Sequence, residues 1–300
     1  MNDHPKIGLA LGSGGARGLA HIGVIKALVE SEIEISYISG SSMGALVGAV
    51  YAATRSAEEL EEVARKFSWR SMLRLFLPSL SRAGLVNGDN VMELLRENLT
   101  VRDFSELKIP LALETTDLET GDLITIKEGD LLRAIRASIS IPLIFSPIEI
   151  NGHILVDGGL VSPVPVRTVR EMGADYVIAV NVLEKTRTWA RQEKVEKRLR
   201  EAEQSGGLSL SQILRRDRTE DKPSRTPEKD LGFMMVLAQT VGIAISKMAS
   251  YQLQLERPEL LITPDTTQIS VYDFHRGDEI IDTAYGQALE DFRKMEPSLR

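Results

Sequence analysis

The sequence predicts an α/β protein built on a parallel sheet, and three observations carry that expectation. Residues 6 to 11 form a short apolar run that enters a glycine-rich turn and then an apolar-periodic helix from Leu19 to about Val29. A second short strand, Tyr37 to Ser39, runs into Gly40-Ser41-Ser42-Met43-Gly44 and a small-residue helix, Ala45 to Ala53. Further along, a helix from Val166 to Met172 is followed by a strand from Tyr176 to Val182. Repeated strand-turn-helix steps of this kind build parallel sheets, because the crossover helix returns the chain to the same edge.

The other elements follow from local signals. Ser56 with Glu59 is a capping-box signature that opens a helix to about Phe67, and Asn87 or Asp89 caps another ending near Asn98. Between them, Trp69 to Leu80 interleaves large apolar residues with Arg70 and Arg74. It reads either as a helix capping the core or as a segment touching lipid or substrate at an interface. Leu111 to Asp117 and Leu123 to Lys127 read as strands around a turn at Gly121, and Leu131 to Ser138 as a helix. Two apolar runs, Pro147 to Ile150 and His153 to Val156, are joined by Asn151-Gly152, the pair favoured in type I′ hairpin turns. The chain resumes after residue 230 with an apolar helix from Leu231 to about Leu255, a strand from Leu260 to Thr263 and a closing helix after Gly277. The uncharged stretch Leu231 to Ser246 falls short of a bilayer span and is expected to be a buried core helix.

Composition bounds the function. The 300 residues carry a net charge of −7, which argues against a long polyanion such as nucleic acid as the partner. The chain has no cysteine, so disulfides, thiolate metal sites and cysteine nucleophiles are all excluded. Met1 to Lys6 lead directly into the first strand with no signal-peptide pattern, so a cytoplasmic location is expected. Residues 185 to 230 differ in character, with 13 Lys and Arg against 9 Asp and Glu. They read as a charged, mobile insertion in a single domain spanning 1–300, or as a basic contact surface for anionic lipid or a partner.

Three motifs carry chemistry. Gly40 to Gly44 fits G-x-S-x-G, in which small flanking residues allow a sharp strand-to-helix turn that presents the central serine, Ser42, as the candidate nucleophile; the same small-residue pattern also fits an ordinary structural turn. The helix opening at Met43 directs its N-terminal dipole at that serine. The loop Gly12-Ser13-Gly14-Gly15-Ala16-Arg17-Gly18 departs from both nucleotide-binding patterns: the third glycine of a dinucleotide fingerprint falls on Arg17, and Gly18 is followed by Leu19-Ala20 instead of Lys-Ser/Thr. Its glycine N–H groups can instead approach an anion closely, with Gly14 and Gly15 as donors and Arg17 fixing the loop or aiding an anionic substrate. Of the four histidines, His4, His21, His153 and His275, none is well placed to be a base. Asp157 ends an apolar strand before Gly158 and Gly159; it caps a turn or serves as a desolvated base.

Together, Gly12 to Gly18, Gly40-Ser41-Ser42-Met43-Gly44 and Asp157-Gly158-Gly159 resemble, in order and spacing, the hallmarks of the patatin-like phospholipase family. Ala137-Ser138-Ile139-Ser140-Ile141-Pro142 also looks like the stretch such proteins carry before the aspartate. The resemblance covers roughly residues 6 to 182 and does not extend to 185–230. It implies a three-layer α/β/α sandwich with a largely parallel central sheet. It also implies a serine acyl-ester hydrolase with a Ser42–Asp157 dyad, an oxyanion hole in Gly14 to Gly18 with Met43, and no metal or other cofactor. The implied partner is a phospholipid, lysophospholipid or other fatty acyl ester, met at a membrane surface by peripheral contact. A thioesterase and a scaffolding protein that retains the fold with little activity are the rival readings. A dyad of this kind predicts a hydroxyl-to-carboxylate distance of roughly 2.6 to 3.2 Å, somewhat longer without substrate.

Overall fold

The computed structural model describes residues 5–66, 89–142, 144–183 and 233–295. Contacts divide the chain into one compact unit, Met1–Glu184 with Thr240–Arg300, and a second, Lys185–Gln239, of which only 233–239 are described. The segments 69–80 and 185–230, singled out by the sequence, lie outside the described residues.

The first unit holds a mixed eight-stranded sheet. Five strands form its parallel part: β1 (Ile7–Leu11), β2 (Ile35–Ser41), β3 (Leu111–Asp117), β7 (Tyr176–Val180) and β8 (Leu260–Ile262). They run in the order β3-β2-β1-β7-β8, every neighbouring pair parallel. At the β3 side the sheet turns antiparallel through β4 (Leu123–Ile126), β5 (Ile148–Ile150) and β6 (His153–Asp157). The hairpin at Asn151-Gly152 has φ 52° and 81° at its two turn residues, the positive values that a type I′ turn requires.

Alternation along the central strands separates two apolar layers. Leu9 and Leu11 of β1 and Ile178 and Val180 of β7 face the larger core. That core is filled from α1 (Ala20–Glu30), α2 (Met43–Thr54), α5 (Leu131–Ser138) and α8 (Gly277–Arg293). Ala10, Val177 and Ala179 face the opposite side, where α6 (Val166–Glu171) and α7 (Phe233–Glu256) lie. Two helices complete the larger layer: α3 (Ala57–Lys66), with Leu60, and α4 (Asp89–Asn98), with Leu95. The result is a three-layer α/β/α sandwich with a largely parallel sheet at its centre.

One expectation is overturned. The run from Leu231 is no buried core helix where it is described: α7 turns Ile245, Ala249 and Leu253 toward the smaller core, while Ile243, Met248, Tyr251 and Leu255 are exposed. Its apolar residues are spread around the helix, and only the face spaced four residues apart meets the sheet layer. No described helix is long and apolar enough to cross a membrane.

Candidate active site

Strand β3 explains how two residues 115 positions apart come together. β2 pairs with β3 from Ile38↔Leu111 to Ser41↔Glu114. β4 occupies the other edge, pairing with Leu113 to Thr116. β6 pairs with Thr115 to Asp117, so it lies on the edge that β2 has just vacated, and it runs in the opposite sense. The C-terminal ends of β2 and β6 therefore meet head to head on one edge of β3, with Ser42 leaving one and Asp157 closing the other.

The Ser42 hydroxyl donates to Asp157 Oδ2 at 2.5 Å, and both residues are buried. Asp157 Oδ1 accepts the backbone N–H of Gly159 at 2.7 Å, which fixes the carboxylate plane. Burial pushes the Asp157 carboxyl up to about 6, with the bonds from Ser42 and Gly159 opposing the rise. A carboxylate so placed stays ionised at neutral pH yet holds more basicity than an exposed one. Ser42 itself sits at φ 56°, ψ −121°, a strained conformation for a non-glycine residue that costs about 1–3 kcal/mol and is maintained by surrounding structure. The strain follows from the abrupt change of β2 into α2 within one residue.

The glycine-rich loop borders this point. Gly12 donates its N–H to Val180 and Ser13 donates to Pro163, so the loop starts pinned to the strand and turn beside it. Gly44 lies against the backbone of Leu11 and Gly12, where a Cβ would come within 2.2 Å of Leu11 O, so the first turn of α2 is pressed onto the loop. Gly40 packs in the same way against Gly44 and Ala45, and Gly18 against the Met43 side chain. Ser13 Oγ donates to Ser41 Oγ at 3.1 Å, joining loop and elbow directly.

The expected oxyanion donors separate into two groups. The Ala16 N–H is taken by Val271 O at 2.9 Å, and the Arg17 N–H by Gly14 O at 3.2 Å. Those two backbone groups are engaged within the fold and correct the broader expectation that the whole run from Gly14 to Gly18 lines an anion site. The N–H groups of Gly14, Gly15 and Met43 meet no acceptor among the described residues. Arg17 is a loop anchor: its Nε donates to Ile269 O at 2.7 Å, and Asp273 faces its charge.

No described histidine enters the pair. His21 is fully buried, with Nε2 against Gly12 O at 2.7 Å, and burial lowers it to about 4. It is thus neutral, carries its proton on Nε2, and leaves Nδ1 without a partner among the described residues. His153 Nδ1 pairs with Asp117 Oδ2 at 2.5 Å. His275 lies in a short turn, Phe274–Arg276, and His4 lies outside the described residues.

Several residues of the site carry no sequence signal as singletons. Ser138, at the end of α5, receives the Ser42 N–H at 3.1 Å and donates to Glu114 O at 2.7 Å. Ser140 O accepts the Asp157 N–H at 3.0 Å, and Thr116 Oγ1 donates to Asp157 O at 2.9 Å. Arg136 grips this segment, with Nη1 on Ser140 Oγ at 2.5 Å and Nη2 on Ser146 O at 3.0 Å. Glu114, one residue from the strand junction, is fully buried, accepts from Thr168 and Thr125, and is pushed up to about 7 by burial. The stretch Ala137 to Pro142 is a visible sequence feature, but only its backbone geometry reveals which atoms it offers to the pair.

A strained serine at a strand-to-helix elbow, a buried carboxylate in hydrogen-bond contact with it and N–H groups that meet no acceptor among the described residues thus gather at one place on an α/β/α sandwich. Residues 9–170 match the patatin-like phospholipase family, and the chain belongs to it. It is 43% identical over 178 residues to an uncharacterised NTE family protein of Mycobacterium tuberculosis, covering 59% of this chain and 49% of that protein. It is 34% identical over 182 residues to patatin-like phospholipase domain-containing protein 6 of Homo sapiens, covering 59% of this chain and 13% of that one. A lysophospholipase of Coccidioides immitis is 36% identical over 182 residues, with 59% of this chain and 11% of that one covered. The chain therefore matches about half the length of the mycobacterial relative and a small fraction of the others.

Proposed function

We propose that this protein hydrolyses the acyl ester bonds of lipids, with Ser42 as nucleophile and Asp157 as its base. The observation that carries the reading is the 2.5 Å bond from the Ser42 hydroxyl to the buried Asp157 carboxylate, made from a serine held at φ 56°. Asp157 accepts the hydroxyl proton as Ser42 Oγ attacks the ester carbonyl. The N–H groups of Gly14, Gly15 and Met43 meet the oxyanion of the tetrahedral intermediate, a contribution commonly worth about 10²–10³ in rate per donor. The intermediate collapses to an acyl-serine, and Asp157 returns the proton to the departing alcohol. Water, deprotonated by the same carboxylate, then releases the fatty acid and restores Ser42. No step uses histidine or requires a metal.

The names of two relatives, a lysophospholipase and a phospholipase domain-containing protein, support phospholipids and lysophospholipids as the substrate class. Such molecules are presented by membranes, so the protein works in peripheral contact with a lipid surface. The test is turnover of p-nitrophenyl acyl esters of graded chain length, lysophosphatidylcholine and an acyl thioester by wild type, Ser42→Ala and Asp157→Asn, with chelator present. Loss of ester turnover in both variants with unchanged circular dichroism supports the dyad. Equal rates in all three overturn it and favour a scaffolding role, and a thioester preference redirects the substrate assignment. Because Asp157 must be ionised to accept a proton, kcat/KM should rise with pH through about 6.

A further inference from the structure

The meeting of β2 and β6 on β3 leaves a gap in the ladder, since the backbone groups at the junction lose their regular strand partners. The Ser138 hydroxyl fills it: it accepts the Ser42 N–H at 3.1 Å and donates to Glu114 O at 2.7 Å, inserted as an extra rung between strands that would otherwise pair directly. Ser138 is completely buried, so water cannot replace that rung. Two residues on, Ser140 O takes the Asp157 N–H at 3.0 Å. The same short segment, tied down by Arg136 on Ser140 Oγ, thus holds the backbone of both Ser42 and Asp157.

We infer that Ser138 is a positioning residue, whose hydroxyl wedges β2 from β3 and sets the alignment of Ser42 on Asp157. The inference rests on the proposed function for its kinetic consequence, but its structural content does not. Without the hydroxyl, the Ser42 N–H and Glu114 O are both left buried and unpaired, and the gap can close by drawing β2 toward β3, which turns the Ser42 side chain off the carboxylate. The bond from Ser42 lowers the Asp157 carboxyl against the upward push of burial. Its loss therefore moves the Asp157 titration to higher pH.

The experiment compares Ser138→Ala and Ser138→Thr, which keeps a hydroxyl, with Ser39→Ala and Ser42→Ala. Ser39 is an equally buried serine whose hydroxyl donates to Pro165 O, away from the pair. Two readouts are taken: kcat and KM on a p-nitrophenyl ester, and the Asp157 carboxyl midpoint by ¹³C NMR, which needs no turnover. In Ser138→Ala, kcat should fall about 10- to 100-fold with KM nearly unchanged, the effect of unpairing buried polar groups at the nucleophile. Its Asp157 midpoint should rise, while Ser138→Thr restores most of both values and Ser39→Ala changes neither. An Asp157 midpoint in Ser138→Ala equal to that of wild type overturns the inference. If Ser42→Ala hydrolyses as fast as wild type, the proposed function fails, and the NMR midpoint still decides the role of Ser138.

Discussion

Replacing Asp157 by asparagine should make the protein more stable at pH 8 while removing its activity. The carboxyl lies at about 6 in the fold against 3.8 in the open chain, because burial outweighs the bonds from Ser42 and Gly159. Each unit corresponds to about 1.36 kcal/mol, so ionised Asp157 destabilises the fold by about 3 kcal/mol at high pH. The sign follows from the raised value: the stabilising contribution is complete below about pH 3.8 and is lost as pH rises through about 6. Asparagine is isosteric, keeps an acceptor for the Gly159 N–H and carries no charge at any pH. Glu114 and His21 titrate in the same window, but they are present in both proteins and cancel in the difference. The stability of Asp157→Asn minus that of wild type should therefore grow by about 2 kcal/mol between pH 4 and pH 8, the rest of the effect being already present at pH 4. For a chain of this size that corresponds to about 4 °C in the difference between melting temperatures. Thermal melts of both proteins across that range measure it. A difference that stays flat within about 1 kcal/mol would refute the claim that an ionised carboxylate is buried beside Ser42.

Other perturbations test the surrounding scaffold. Gly158→Ala places a Cβ 2.3 Å from Glu114 O, a backbone atom that cannot step aside; a loss of about 1–3 kcal/mol is expected in denaturant titration, with activity falling as β6 is pushed off β3. His21, lowered from 6.5 to about 4, contributes stability that is complete above pH 6.5 and is lost as pH falls through about 4. His21→Gln, which can still donate to Gly12 O, should remove about 3 kcal/mol of that acid sensitivity in melts at pH 4 and pH 7. Arg17→Ala frees the loop from Ile269 O and should lower kcat about 10-fold through misplaced N–H donors. Arg17→Lys should fail to restore it, since lysine has no equivalent of the planar Nε–H.

Much of the fold was legible because local chemistry and global architecture agree. Asn151-Gly152 dictated the hairpin through its φ requirement, and Leu131 to Ser138 and Leu111 to Asp117 fall within the bounds their periodicity predicts. Ser56 caps α3 as expected, accepting the Glu59 N–H at 3.1 Å, although it is the Glu58 carboxylate that receives the Ser56 hydroxyl. β2 begins at Ile35, earlier than its apolar run suggested, because Glu34 interrupts the pattern while Ile33 and Ile35 are both buried. The short turn Gly15–Leu19 ahead of α1 has no periodicity to announce it. At the site, Ser42 and Asp157 were marked by glycine neighbours whose spacing is informative. Ser138, Thr116 and Glu114 were not, because a hydroxyl or carboxyl that serves a backbone break is visible only once non-adjacent strands are paired. α7 was misjudged for a related reason: composition reports how apolar a helix is, and only its neighbours determine how much of it is covered.

The head-to-head arrangement of β2 and β6 makes β3 the ruler of the candidate site. Neither Ser42 nor Asp157 is placed by the other's element: Ser41, the residue before Ser42, pairs with Glu114, and Asp157 pairs with Thr115 on the next rung. Strand residues advance about 3.3 Å and alternate in facing. A slip of β6 by a single residue would therefore carry the carboxylate beyond reach of the hydroxyl and turn it through to the other side of the sheet. Tolerance to mutation along β3 should accordingly be decided by whether a change alters the count of residues between rungs. Substitutions that preserve the pairing leave the distance intact, whereas a one-residue insertion between Glu114 and Thr115 separates the pair even with every side chain of the site still present.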